Sequence, residues 1–181
     1  GGQELVGALA ALRQRGLPVR LWLVGGQVGH SDPTNRAYLA RVREHIAILG
    51  LEPFVHWTGY TSPAQVSANL LAADLCVLPY RDGVSFRRGS LMAALAHGLP
   101  VVSTFPRQPL AEVVDGQNMA LVPAGDVASL AARIEALIAD PAARRRLGEG
   151  ALGLAKNFGW DSIAERTVEA YDALVRAAGR E

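Results

Sequence analysis

The 181-residue sequence holds a single cysteine, Cys76, and a single lysine, Lys156. One thiol inside the apolar run Leu75-Cys76-Val77-Leu78 can build neither a disulfide framework nor a cysteine-based zinc site, and it fits a reducing, cytoplasmic setting. Charge of one sign is also missing. Eighteen basic residues face 17 acidic ones for a net charge of +1, so no long-range field draws the chain to nucleic acid or to a membrane surface. No apolar stretch reaches the roughly 20 residues that cross a bilayer, because Asp74 interrupts the longest candidate, and no transmembrane segment is expected. The histidines His30, His45, His56 and His97 lie in four segments without HxH or HxxxH spacing, so no metal site is expected either. No GxGxxG or GxxxxGK[ST] phosphate loop is expected, and Ser85 and Ser103 lack the GxSxG turn that exposes a hydrolase nucleophile.

What the sequence does contain is a regular alternation of helix and strand patterns. Leu5, Leu9 and Leu12 mark a helix over residues 3–15, stopped by Gly16 and Pro18. A β-prone run over 19–24 breaks at Gly25-Gly26 before a polar loop through Asn35. Leu39, Val42, Ile46 and Leu49 mark a helix over 36–49. Residues 55–58 read as a strand entering Gly59-Tyr60, and Ser62-Pro63 is a capped start for a helix to about Ala73. The continuously apolar residues 75–79 predict a central strand covered on both faces. A helix over 89–97, strands at 101–103 and 120–122, and helices near 127–139, 141–156 and 162–178 complete the pattern. Parallel strands need crossovers long enough to hold a helix, so the expected class is α/β with a doubly wound parallel sheet, in one domain spanning 1–181. The chain opens at Gly1-Gly2 without an initiator Met and runs at once into a helix. It is therefore expected to be part of a longer protein that supplies a further strand before Gly1.

In open α/β sheets, ligands bind at the carboxyl ends of the strands, which directs attention to four loops. Gly25 and Gly26 let a backbone approach a ligand closely, although a plain turn needs the same residues. Gly59 and Tyr60 offer main-chain groups and a ring to a nucleobase, or the ring simply closes the core. The loop over 80–88 is more informative. It leads into a helix that starts near Gly89-Ser90, whose first turn carries free N–H groups and the positive end of the helix dipole. Arg87 and Arg88 add permanent charge and donor forks suited to phosphate, so this loop is the candidate diphosphate site. The run Arg144-Arg145-Arg146, interspersed at helical spacing with Glu135, Asp140 and Glu149, reads as a solvated helix face.

Residues Leu95-Ala96-His97-Gly98-Leu99-Pro100-Val101-Val102-Ser103-Thr104 resemble the "EAMACGTPVVAT" segment of family-4 (group 1) glycosyltransferases. Residues 72–79 resemble their "ADVFVLPS", residues 112–118 their "EIVxDGxNG", residues 55–60 their "VxFLGY", and Phe158-Gly159-Trp160 their "FSW". The resemblance implies the C-terminal, Rossmann-like half of a GT-B enzyme, which binds a nucleoside diphosphate sugar while an N-terminal domain binds the acceptor. It implies a retaining, metal-independent transfer without a cofactor. Arg87 and Arg88 are then expected to stabilise charge on the diphosphate, with Gly25, Gly26, Gly59, Tyr60, Ser85, Phe86, Gly89 and Ser90 around the donor. One departure stands out. The two glutamates of the family's "EGFGLPxxEA" align with Ser85 and Ala93, and a methyl group accepts no hydrogen bond from a ribose. Asp82 and Glu112 are the nearby carboxylates that could substitute. A scaffold that has lost donor chemistry is the alternative this departure motivates, and a nucleotide-sugar epimerase is a third reading.

Overall fold

The computed structural model describes residues 1–26 and 33–178, and the polar loop expected after Gly26, with His30, falls largely outside them. Helix α1 (Gly2–Gln14) leads to strand β1 (Leu21–Val24), α2 (Pro33–Ile48), β2 (Val55–Gly59) and α3 (Pro63–Ala72). Strand β3 (Cys76–Leu78), α4 (Gly89–Ala96), β4 (Val101–Thr104) and β5 (Ala120–Val122) follow, and α5 (Val127–Ala139), α6 (Pro141–Ala155) and α7 (Trp160–Ala178) close the described chain. Local chemistry sets several of these boundaries. The Ser62 hydroxyl accepts from Gln65 N at 3.3 Å with Pro63 next in line, and Asp126 and Asp140 cap α5 and α6 through Ser129 N and Ala143 N, both at 2.9 Å.

Among the described residues the named strands all pair in parallel. Strands β1 and β2 form one sheet, and β3, β4 and β5 a second with β4 in the centre. Helix α1 joins the two. Val6 and Leu9 pack on Val42 and Ile46 and toward β1 and β2, whereas Ala8 and Leu12 pack on Val102, Val122 and α5. Two stripes on one helix, each against a different sheet, are what a 3.6-residue period places about 100° apart and beyond. A third cluster, built on Leu91, Leu95 and Val101, fastens α4 to the other face of β4. Each fully buried leucine there contributes about 2 kcal/mol of apolar burial.

Among the described residues β3 is half buried and pairs with β4 on one side, so the cover expected on both faces of residues 75–79 is partial, while β4 is buried at every position. The strands fall into two parallel groups with flanking helices, which agrees with the expected α/β class. A further detail concerns Gly148, Gly150 and Gly153, which have GxGxxG spacing but lie inside α6. A Cβ on Gly148 would stand 2.5 Å from the Gly98 carbonyl oxygen, and one on Gly150 2.2 Å from that of Gln117, so these two glycines serve close packing.

Candidate functional site

The four loops fall into two groups. At the ends of β1 and β2, Gly25 N donates to Thr58 Oγ1 at 3.0 Å, and Gly25 bridges to Gly59. Gly26 lies against Tyr60, whose side chain does not close the core: the residue is 92% exposed. Gly25, Gly26, Gly59 and Tyr60 thus share one place.

The loop from Tyr80 to Arg88 forms the second group, and β4 stitches it down. Ser103 Oγ donates to Leu78 O at 2.8 Å and Thr104 Oγ1 to Tyr80 O at 2.6 Å, so both buried hydroxyls are satisfied. Val84 N donates to Thr104 O at 3.2 Å. Between these anchors the chain turns at Gly83, which has a φ of 82°. Phe86 turns its ring onto Phe158, with centroids 4.6 Å apart.

Helix α4 begins without a side-chain cap at Arg88 and without an acid in its first turn, so no side chain of the helix itself offsets the positive end of its dipole. Gly89 and Ser90 are both exposed there. Arg88 pairs with the Asp82 carboxylate, and its guanidinium carbon lies 4.4 Å from the centre of the Tyr80 ring. The Tyr80 hydroxyl meets Ser90 Oγ at 2.9 Å. Burial raises the Tyr80 pKa, against the pull of Ser90 and Arg88. Arg87 is exposed and has no carboxylate partner among the described residues; it reaches only Ser85 Oγ, 3.4 Å from its Nε. The Ser85 hydroxyl is therefore engaged within its own loop.

Sequence reasoning missed Arg81 and Glu4. Arg81 Nε donates to Glu4 Oε1 at 2.8 Å, tying the loop to the first turn of α1. Burial alone would raise the Glu4 carboxyl, but backbone and Arg81 hydrogen bonds outweigh it and hold the group below its ordinary value. The charge of Asp82, one of the two candidate substitutes for the missing glutamates, is met by Arg88. The other, Glu112, has its main-chain carbonyl taken by Asn118 Nδ2 at 2.7 Å in the turn that feeds β5. The arginine run on α6 is partly structural: Arg144 Nη1 caps α5 by donating to the carbonyls of Leu137 and Ile138 at 2.5 and 2.8 Å. Burial pushes the Cys76 thiol up to about 11, so it stays protonated.

The family model described as "Glycosyl transferases group 1" matches residues 1–140. The chain belongs to this family. Among glycosyl transferases group 1 relatives, a D-inositol 3-phosphate glycosyltransferase of Pseudarthrobacter chlorophenolicus is 33% identical over 180 residues, 97% of this chain and 40% of its own length. An MMP alpha-(1->4)-mannosyltransferase of Mycolicibacterium hassiacum is 34% identical over 138 residues, 74% of this chain and 33% of its own. The chain thus spans less than half the length of these relatives. Among solved structures, sucrose-phosphate synthase from Thermosynechococcus elongatus superposes with a TM-score of 0.78 at 28% identity, over 98% of this chain and 43% of that one. Anabaena HepE, solved with UDP, shares the fold at a TM-score of 0.80 and 24% identity, over 96% of this chain and 45% of its own. These neighbours establish the Rossmann-like α/β class. No helix among the described residues is long and apolar enough to cross a membrane.

Proposed function

We propose that residues 1–181 are the donor-binding domain of a retaining, metal-independent glycosyltransferase. It holds a nucleoside diphosphate sugar while a further domain, outside this sequence, holds the acceptor. The observation that carries this reading is the uncapped start of α4 at the carboxyl end of β3, with Arg87 free of any carboxylate among the described residues and Arg88 beside it. Family membership supplies the reaction class. As the bond from the anomeric carbon to the diphosphate breaks, negative charge grows on the β-phosphate. Free N–H groups, the helix dipole and Arg87 can meet that charge without an added cation. Gly25, Gly26, Gly59 and Tyr60 would line the nucleoside side, with Ser85, Phe86, Gly89 and Ser90 along the diphosphate. One edge of each strand group, on β1 and on β3, would accept one more parallel strand between them. A cytoplasmic setting agrees with the single thiol.

The test is release of nucleoside diphosphate from a panel of donor sugars by the intact protein, compared with an Arg87→Ala/Arg88→Ala variant whose fold is checked by circular dichroism. Turnover is expected to fall by at least about 100-fold, the scale seen when a charge-stabilising donor is removed. Unchanged turnover would remove both arginines from the reaction.

A second reading follows from Ala93 and from the Ser85 hydroxyl, which is held by Arg87. In it the scaffold has lost its donor chemistry and serves as a binding subunit. Absence of donor binding by the intact protein would select it.

A further inference from the structure

The first turn of α1 meets the loop after β3 through one ion pair. Glu4 is 91% buried, and its Oε2 has no hydrogen-bond partner among the described residues. Its Oε1 takes Arg81 Nε at 2.8 Å, and Gln3 Oε1 lies 3.4 Å from Arg81 Nη2. Such a carboxylate is a poor fastener. Its desolvation is outweighed by its backbone and Arg81 hydrogen bonds, yet an apolar pair of the same volume would join helix to loop at least as well. Arg81, by contrast, keeps 59% of its side chain in water.

Glu4 at Nε and Gln3 at Nη2 fix the plane of an otherwise exposed guanidinium, and Nη1 with the second N–H of Nη2 remains for a further acceptor. Such paired N–H donors match phosphate oxygens two at a time. The other arginines of the loop lack this support. Arg88 is matched by the exposed Asp82, and Arg87 touches only Ser85. Arg81 follows Tyr80, over whose ring the Arg88 guanidinium carbon lies at 4.4 Å, so both arginines belong to the same end of the sheet.

We infer that Arg81 is a binding residue for the diphosphate of the donor and that Glu4 is the residue that positions it. This inference rests on the donor-binding function proposed above. Because Glu4 offsets much of the Arg81 charge, the contribution is directional hydrogen bonding more than net charge.

The test is calorimetric titration of the intact protein with UDP, GDP, ADP and dTDP, and with the matching nucleosides. Binding of one diphosphate by the wild type establishes the donor site independently of Arg81; binding of none overturns both readings. Arg81→Ala is expected to weaken that diphosphate by about tenfold while leaving the nucleoside unchanged. Arg81→Lys, which keeps the charge and loses the fork, is expected to restore only part of the loss. Glu4→Ala should weaken the diphosphate in the wild-type background and have no further effect on Arg81→Ala. Diphosphate affinity within about twofold of wild type in Arg81→Ala, or an equal loss for the nucleoside, overturns the assignment.

Discussion

Asp82 and Arg88 face each other across the turn that precedes α4, with the guanidinium of Arg88 held between the Asp82 carboxylate and the ring of Tyr80. The carboxylate therefore sits on the cation that the proposed diphosphate would use, at a helix start that favours anions. In the proposed function, Asp82 would compete with the diphosphate for Arg88.

Removing that competitor should help the ligand. Both partners are substantially exposed, and pairs of this kind contribute only about 0.2–1 kcal/mol, so Asp82→Asn is expected to tighten nucleoside diphosphate binding by about two- to fivefold. The gain should vanish in an Arg88→Ala background. Calorimetry on the intact protein checks this, and weaker binding by Asp82→Asn would make the pair a structural brace.

The turn itself depends on Gly83. A Cβ there would stand 2.5 Å from the Phe105 carbonyl oxygen and 3.0 Å from Arg107 N, at a φ of 82° that side chains disfavour. Gly83→Ala is expected to cost about 2–4 kcal/mol in denaturant unfolding, as the loop must leave its anchors on β4. A change below about 0.5 kcal/mol would mean that the loop yields freely.

Glu4 links the site to pH. Its folded pKa lies below the ordinary glutamate value of 4.5. Between the two values the unfolded chain binds more protons, so stability rises with pH there. The contribution of Glu4 is complete above about pH 4.5 and is lost as pH falls through the lower folded value. Glu4→Gln should flatten the acid limb of the stability profile in thermal melts below that pH. Parallel wild-type and variant profiles would show that the carboxylate is equally solvated in both states.

The α/β alternation was legible because local signals carry it. Ser62-Pro63 starts α3 as its chemistry requires, and Gly98 ends α4 with a left-handed φ of 64°. The loop after β3 was also legible, since an apolar run followed by paired arginines and a helix start stands out at short range. The partners of those arginines were not. Glu4 and Arg81 are 77 residues apart, and no periodicity relates the first turn of one helix to a distant loop. The same limit hid the half-burial of β3, which depends on neighbouring strands, and the work of Gly148 and Gly150, which depends on the backbone they meet. The exposure of Tyr60 depends on what lies above its turn, and the order of residues around it carries no sign of that.

The central claim is that the start of α4 and its arginines hold the diphosphate of a nucleotide sugar. Ligand-observed NMR of the intact protein with UDP-, GDP-, ADP- and dTDP-sugars tests it most directly. The account predicts saturation transfer to one donor that disappears in the Arg87→Ala/Arg88→Ala variant. Transfer to none of them, or transfer that persists undiminished in the variant, would contradict it.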